Sequence, residues 1–241
     1  MNIIAVIPAR YASTRFPGKP LAMLQGKTII QHVYDRVLDS NIFKDVIVAT
    51  DDVRIANEVI GFEGKFKMTS TQHQSGSDRI AEVIEKMDCN VVFNIQGDEP
   101  MIDKKTLADL VSAFRDKDVQ AASLMTIILN PEDLDNPNIV KVVTGVNGNA
   151  LYFSRARIPF DRDANQNPDY YRHIGVYAYR KQTLLDYVKL PPSKLEKIEK
   201  LEQLRLLENN IPIRMVVTSY QGMGIDTPED LIKAEAILSG N

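Results

Sequence analysis

The sequence is short of cysteine, of long apolar runs and of acidic residues near its start. Cys89 is the single cysteine, so no intrachain disulfide can form, and we expect a protein of the reducing cytoplasm. No apolar stretch approaches the roughly 18 residues of a membrane-spanning helix, so we expect no membrane segment. The opening residues, MNIIAVIPAR, have no positive charge before their short apolar run, which favours a first strand over a signal peptide.

The charged residues are unevenly distributed. No Asp or Glu occurs before Asp35, whereas Arg10, Arg15, Lys19 and Lys27 all lie in that stretch. This local positive charge predicts either a binding site for an anion or a solvated basic loop, and charge alone does not separate the two. The net charge of the whole chain is −3, which argues against a general surface for nucleic acid or anionic membranes.

With 241 residues, 44% of them hydrophobic, the chain is long enough for an ordinary globular core. Short β-branched runs alternate with helical patterns through the first half. We predict strands at 3–7, 46–50, 65–69, 91–95 and 121–129, with helices between them and a helix cap at Ser77 or Asp78. Such alternation indicates an α/β fold with a mainly parallel sheet and right-handed crossovers.

The rhythm changes after residue 130. Strand-like pieces at 140–146, 151–153 and 174–179 are separated by turns, which predicts an antiparallel lobe, either an insertion or a dimerisation element. A helix over 193–209 and a strand over 213–217 follow. The last helix has a clear start, because Thr227 offers a capping hydroxyl before Pro228, and Asp230 lies at the third helical position.

Three polar segments fall where ligands bind in open parallel sheets, beyond the carboxyl ends of strands or next to a helix start. They are PARYASTRFPGKP (8–20), QGDEP (96–100) and GMGID (222–226). The first places arginine and lysine among small residues, a composition able to wrap a triphosphate. It is not a P-loop, because Leu21 stands where the first glycine is required, and Thr227 replaces the third glycine of a dinucleotide-binding pattern.

Asp98 and Asp226 are the carboxylates of the second and third segments. Two aspartates over a triphosphate would be enough protein ligands for Mg²⁺, although each alone is more typical of a turn or a helix cap. The Asp-x-Asp pairs at 116–118, 133–135 and 161–163 follow no predicted buried strand, which argues against a glycosyltransferase. The three histidines are too scattered to predict a metal site.

Taken together, IPARYASTRFPGKPL, VATDD, HQSGSDR, NIQGDEPMI, ALYFSRARIPFDRD, RHIGVYAYR, LEKIEKLEQLRLL and GMGIDTPEDL closely resemble the bacterial CMP-Kdo synthetases, the 3-deoxy-manno-octulosonate (Kdo) cytidylyltransferases. The resemblance covers essentially the whole chain. It implies a Rossmann-like nucleotidyltransferase fold of the GT-A-like kind, with helices on both faces of the sheet and a smaller mixed-sheet dimerisation lobe. It also implies a nucleotide-binding part over 1–129, a sugar-binding lobe over 130–215 and a returning segment over 216–241, counted as one domain.

The family's site residues can be transferred by motif. The resemblance implies that nucleotide is bound by Ala9, Arg10, Arg15, Lys19, Gln74, Ser75, Gly76, Arg79, Gln96 and Asp98. It implies that the sugar is bound by Gln96, Arg155, His173, Tyr177, Glu202 and Gln203. Mg²⁺ would be held by Asp98 and Asp226, and catalysis would rest on Arg10, Lys19, Asp98 and Asp226.

The implied reaction is CTP plus Kdo giving CMP-Kdo and pyrophosphate, for lipopolysaccharide biosynthesis, by a cytoplasmic homodimer. Arg157, Phe160 and Ser77 depart from residues common in the family, so an amino-substituted Kdo or a sialic acid stays open as the substrate. A non-catalytic nucleotide-binding regulator on the same fold is the alternative from another class. It would be expected to have lost Lys19, Asp98 or Asp226, and all three are present.

Overall fold

A computed structural model describes residues 1–12, 15–163, 166 and 168–239 of the chain, so Ser13 and Thr14 of the first polar segment lie outside the described residues. In chain order the elements are β1 Ile3–Ala9, β2 Met23–Leu24, β3 Lys27–Thr28, α1 Ile29–Asp39, β4 Asp45–Thr50, α2 Val53–Gly61, β5 Phe66–Met68, α3 Gly76–Ile84, β6 Val91–Asn94, α4 Lys104–Ser112, β7 Ala121–Ile127, β8 Lys141–Thr144, β9 Ala150–Ser154, β10 Tyr171–Arg180, α5 Lys181–Tyr187, α6 Lys194–Glu199, α7 Leu204–Glu208, β11 Ile213–Val217 and α8 Pro228–Leu238. Within the described residues no helix is both long and apolar enough to cross a membrane.

The chain packs as two compact units. The first comprises Met1–Ala108 with Gly222–Asn241, and the second comprises Asp109–Gln221. The resemblance implied a different division, into a nucleotide-binding part over 1–129, a sugar-binding lobe over 130–215 and a returning segment over 216–241. These assignments of ligands to segments stay predictions.

The first unit is built on a parallel sheet. Its strand order is β6-β1-β4-β5, and each neighbouring pair is parallel. Ile3 to Ile7 of β1 are all buried, so both faces of this strand are covered, as its continuous β-branched run indicates. The predicted α/β fold with a parallel sheet is therefore confirmed.

Side-chain caps fix the helix starts in this unit. Thr28 caps α1 and Thr227 caps α8, the latter as predicted. The predicted cap of α3 at Ser77 or Asp78 is wrong, because Ser75 is the cap. Its hydroxyl accepts a hydrogen bond from the Asp78 amide while the Asp78 carboxylate accepts from the Ser75 amide, both at 3.1 Å. This reciprocal capping box starts the helix at Gly76 and leaves Ser77 buried within its first turn.

The second unit contains a mixed sheet. Its strand order is β11-β7-β10-β8-β9, antiparallel throughout except that β11 runs parallel to β7. The pairing of β10 with β7 is interrupted by an irregularity between Ile174 and Tyr177. The structure therefore confirms the mixed sheet that was predicted for this part of the chain.

The single helix predicted over 193–209 is wrong. The structure has two shorter helices, α6 and α7, separated at Lys200, whose φ of 55° is left-handed and cannot continue a helix. The break folds α7 back on α6, and the Arg205 guanidinium then pairs with Glu196, Nε to Oε2 at 2.8 Å. Arg205 is buried, so this pair satisfies a charge that would otherwise be buried without a partner.

Candidate active site

A polar cavity of about 440 Å³ opens at the carboxyl ends of β1 and β6 in the first unit. It is lined by Pro8, Ala9, Arg10, Ala12, Arg15, Lys19, Pro20, Gln96, Gly97, Asp98 and Asp226. The three polar segments identified in the sequence therefore meet at one place. The rule that parallel strands end at a common edge predicts this convergence for the first two segments.

Lys19 lies at the centre of the charged groups in this cavity. Its Nζ atom is 2.6 Å from Oδ2 of Asp98 and 3.1 Å from Oδ1 of Asp226. Burial lowers the pKa of Lys19, but the two carboxylates together outweigh that effect and the pKa lies above its ordinary 10.5. Arg15 adds a second cation, 3.1 Å from Oδ1 of Asp226. The Lys19 side chain is therefore a firmly charged ammonium between two carboxylates.

Backbone contacts bring Asp226 to Asp98. The amide of Ile225 donates to the Asp98 carbonyl at 2.9 Å, and the Ile225 side chain is fully buried in a cluster with Leu24 and Ile29. The cap of α8 is the hydroxyl of Thr227, so the Asp226 carboxylate is not used as a cap. The structure therefore excludes the helix cap for Asp226 and places this residue in the cavity lining, while its part in binding a ligand stays a prediction.

Gly97 favours close packing of the loop that carries Asp98. A Cβ atom at this position would lie 3.2 Å from the Pro8 carbonyl oxygen and 3.5 Å from Cδ1 of Ile30. A side chain here would therefore crowd the Pro8 carbonyl, and glycine lets the loop after β6 approach the end of β1 without that contact. This explains the glycine in QGDEP and places Asp98 within reach of Lys19.

A second cavity, of about 130 Å³, shares Pro8, Ala9, Arg10 and Gln96 with the first. Its remaining lining residues are His73, Ser75, Gly76 and Arg79, so three of the predicted nucleotide-binding residues at the start of α3 face it. Gln74 does not line either cavity; it is exposed, and its amide donates to the Gln72 carbonyl. Its predicted nucleotide contact stays a prediction.

Arg79 is held by partners that sequence reasoning missed. Its Nη2 atom lies 2.8 Å from Oδ2 of Asp51, which follows β4, and its Nη1 donates to the Thr69 hydroxyl. His73 was also missed, because its spacing from the other histidines carries no signal; its Nε2 contacts Glu82. The contact of Arg79 with Asp51 could have been suspected from the sequence, because Asp51 lies in the motif VATDD.

The predicted sugar-binding residues of the second unit form an aromatic and polar group. The His173 and Tyr177 rings are 5.2 Å apart, and Tyr177 stacks on Tyr179 at 5.8 Å. Tyr179 stacks in turn on Tyr187, whose hydroxyl donates to Oε1 of Glu202 at 2.9 Å. The structure thus connects His173 and Tyr177 to Glu202, and Gln203 is the buried residue that precedes α7.

Arg155 has a different environment from the one predicted. Its guanidinium donates to the carbonyls of Glu199, Pro137 and Lys200, at 2.7, 2.8 and 3.3 Å. These bonds hold two loops together, including the break between α6 and α7. The predicted contact of Arg155 with a sugar stays a prediction, and the observed bonds indicate a structural task.

His173 does not supply positive charge to this group. Burial, and secondarily the charge of Arg172, lowers the pKa of His173 to about 3. The ring is therefore neutral at pH 7.

A family described as "Cytidylyltransferase" matches residues 4–215. The 3-deoxy-manno-octulosonate cytidylyltransferases of Thermodesulfovibrio yellowstonii and Syntrophotalea carbinolica are each 50% identical, over at least 99% of both chains. A solved CMP:2-keto-3-deoxy-manno-octonic acid synthetase in complex with CTP is 43% identical, covers 100% of this chain and 99% of its own, and gives a TM-score of 0.95. The 4-diphosphocytidyl-2C-methyl-D-erythritol synthase of Anaerococcus prevotii, 16% identical over 99% of this chain and 98% of its own with a TM-score of 0.66, shares the fold alone.

The low pKa of His173 predicts a pH-dependent stability. The folded pKa lies below that of an unfolded histidine, so the unfolded chain takes up the proton first as the pH falls from about 6.5 to 3. Between pH 7 and pH 5 this group should lower the free energy of unfolding by at most about 2 kcal/mol. Urea unfolding of the wild type and of His173→Phe at both pH values measures the difference.

The matched control is His32→Gln, which leaves His173 in place and should keep the wild-type dependence on pH. An equal loss of stability between pH 7 and pH 5 in wild type and His173→Phe would contradict the assignment of a neutral ring.

Proposed function

This chain belongs to the cytidylyltransferase family, and we propose that it transfers CMP from CTP to the anomeric hydroxyl of Kdo, giving CMP-Kdo and pyrophosphate. The observation that carries the proposal is the cavity at the ends of β1 and β6, which combines Arg10, Lys19, Asp98 and Asp226. Cations for a polyphosphate and carboxylates for a divalent metal are the groups that nucleotidyl transfer needs. The 43% identical synthetase solved with CTP supports CTP as the nucleotide.

Different residues are expected to bind the phosphates of CTP and its ribose and base. Lys19, Arg10 and Arg15 would neutralise the phosphates, and charge-assisted hydrogen bonds from these cations strengthen as negative charge grows on the leaving pyrophosphate. Ser75, Gly76 and Arg79 line the adjoining cavity, which suits the ribose and the base. Arg79 is fixed by Asp51 and Thr69, so its position does not depend on the nucleotide.

At the α-phosphorus the reaction forms one bond and breaks one, and the attacking hydroxyl gives up its proton. The anomeric hydroxyl oxygen of Kdo attacks the α-phosphorus of CTP, and the bond from that phosphorus to the oxygen it shares with the β-phosphate breaks. The protein contributes chiefly by holding the two substrates in line and by stabilising charge. Arg10 and Lys19 stabilise the charge that develops on the phosphate oxygens.

Mg²⁺ fits the donor set of the cavity. The carboxylates of Asp98 and Asp226 both lie within 3.1 Å of one ammonium nitrogen, so they converge on a common point, and oxygen is the ligand atom that Mg²⁺ prefers. We propose Asp98 and Asp226 as its protein ligands. When bound with the nucleotide, Mg²⁺ would supply charge neutralisation at the phosphates.

The sugar would be recognised by the aromatic and polar group of the second unit, which includes His173, Tyr177 and Glu202. Kdo carries hydroxyl groups and one carboxylate. The neutral ring of His173 and the phenol of Tyr177 suit hydroxyl groups better than they suit the carboxylate. Gln203 offers an amide that can donate to either.

A homodimer and a cytoplasmic location are further parts of the proposal, as is a place in lipopolysaccharide biosynthesis. The second unit exposes large apolar side chains, Leu151 and Phe160 among them, which supports an interface between two copies. CTP is a cytoplasmic nucleotide, which supports the location.

The activity is tested by pyrophosphate release from each of the four nucleoside triphosphates with Mg²⁺. Kdo, 8-amino-Kdo, a sialic acid or no sugar is added to each. Release with CTP and Kdo alone is the expected result. Release with another acidic sugar in place of Kdo would contradict the assignment of Kdo as the substrate and would leave CTP as the nucleotide. No release from any combination, with CTP still bound, would support the non-catalytic regulator.

Asp98→Asn should separate chemistry from binding. The change keeps the size of the side chain and removes the charge that we assign to metal binding, so we expect kcat to fall by about 100-fold or more. The Kd for CTP measured without metal should change little. Asp39→Asn, at an exposed position on α1, is the control for removal of one negative charge. Turnover by Asp98→Asn near the wild-type level would contradict the metal assignment.

Lys19→Met should reveal competition between the ammonium and the metal. Lys19 lies where a cation would bind to both carboxylates, so the ligand-free wild type should bind Mn²⁺ weakly. Without the ammonium, Asp98 loses its Lys19 partner and Asp226 keeps only its contact with Arg15, so the affinity for the ion should rise by about tenfold or more. Electron paramagnetic resonance of free Mn²⁺ measures the affinity without turnover.

The control for Lys19→Met is Lys27→Met, which removes an exposed lysine paired with Asp35 at 2.7 Å. Its Mn²⁺ affinity should equal that of the wild type. The same weak binding in Lys19→Met and in the wild type would show that the two carboxylates do not form the metal site.

A further inference from the structure

We propose that Ser123 is a positioning residue that holds His173 in one neutral tautomer, with hydrogen on Nε2 and a bare Nδ1 that accepts a hydrogen bond from a hydroxyl group of the sugar. The inference about the sugar rests on the proposed function. The inference about the tautomer rests on the geometry of the second unit alone.

The Ser123 hydroxyl contacts three groups at the irregular point of the β7–β10 pairing. Its Oγ atom lies 2.9 Å from Nε2 of His173, 2.9 Å from the Val176 carbonyl oxygen and 3.2 Å from the Ile174 carbonyl oxygen. The register of β10 against β7 shifts between Ile174 and Tyr177, and this shift brings both carbonyls to the same hydroxyl. Ser123 is fully buried, so water does not compete for these contacts.

Counting hydrogens selects the tautomer. A serine hydroxyl has a single hydrogen to donate, whereas a carbonyl oxygen can only accept. If Ser123 donated to His173, neither carbonyl would receive its hydrogen. If Ser123 donates to the Val176 carbonyl, its oxygen is free to accept from Nε2–H of His173, and more of the buried groups are satisfied. The second arrangement is therefore the stable one.

The aromatic neighbours of His173 hold the ring but cannot choose between its tautomers. Phe153 meets the ring edge-on at 5.1 Å between centroids, and Tyr177 is 5.2 Å away. Among the described residues, Ser123 is the one hydrogen-bond partner of the His173 side chain, so the choice of tautomer falls to it.

The consequence for binding is a fixed polarity. A neutral ring with hydrogen on Nε2 presents Nδ1 as an acceptor, which suits a sugar hydroxyl and repels a carboxylate lone pair. The low pKa described above agrees with this, because the ring resists protonation near neutral pH. Ser123 would thereby help the site to select a polyhydroxy acid by its hydroxyl groups.

The test begins with the tautomer in the absence of substrates. The chain has three histidines, so imidazole ¹⁵N spectra of the labelled protein are simple, and His173→Gln identifies the signal of His173. We expect the wild type to show a protonated Nε2 and a bare Nδ1. A protonated Nδ1, or an averaged signal from both tautomers, would overturn the proposal whatever the enzyme's substrate is.

Two variants then connect the tautomer to the sugar. Ser123→Ala should give a mixture of tautomers and raise the KM for Kdo by about tenfold, with the KM for CTP unchanged. Ser123→Thr keeps the hydroxyl and should restore both the tautomer and the KM. The control is Thr126→Val, which removes another buried hydroxyl of β7, the one that accepts from Gln221, and should affect neither.

An unchanged tautomer in Ser123→Ala would overturn the positioning role. A changed tautomer with an unchanged KM for Kdo would overturn the part that concerns sugar recognition. If Ser123→Ala does not fold, the wild-type spectrum alone still decides the tautomer.

Discussion

A partly buried ammonium group is stable only beside negative charge, and the candidate active site is organised around this requirement at Lys19. The side chain is 14% exposed and its two carboxylates come from positions 79 and 207 residues away in the sequence. Asp98 reaches it because Gly97 allows the loop after β6 to approach β1. Asp226 reaches it because the Ile225 amide is bonded to the Asp98 carbonyl. One ion-pair group thus joins three segments of the first unit.

Sequence patterns predicted the parts of the fold and site that depend on local or periodic signals. The parallel strands of the first unit follow from short β-branched runs, and the cap at Thr227 follows from the residues around it. The convergence of Asp98 with the 8–20 segment follows from the rule for strand ends. The break at Lys200 had no such signal, because neither glycine nor proline marks it and the helical pattern continues through it.

What the sequence could not predict are pairings set by distant parts of the chain. The sequence motifs give Arg155 and Arg79 similar predicted roles, each as a cation that binds a ligand. In the structure Arg155 is bonded to three backbone carbonyls, whereas Arg79 pairs with Asp51 at the edge of a cavity. The charge of His173 is likewise decided by its burial and not by its residue type. Such properties follow from tertiary contacts, which periodicity does not encode.

The two groups of predicted ligand-binding residues use charge in opposite ways. Beside Lys19 one cation remains available to phosphates, since Arg10 has no ion-pair partner among the described residues, whereas Lys19 and Arg15 contact carboxylates. In the second unit the Arg155 guanidinium donates hydrogen bonds to backbone carbonyls, and the ring of His173 is neutral. If these residues bind the sugar as proposed, they do so mainly by hydrogen bonds. Attraction to a cation would accept many acids, whereas a site built to hydrogen-bond particular hydroxyls rejects analogues that lack them, because its buried polar groups are then left unpaired. Discrimination among acidic sugars is therefore expected to depend on their hydroxyl pattern more than on their carboxylate.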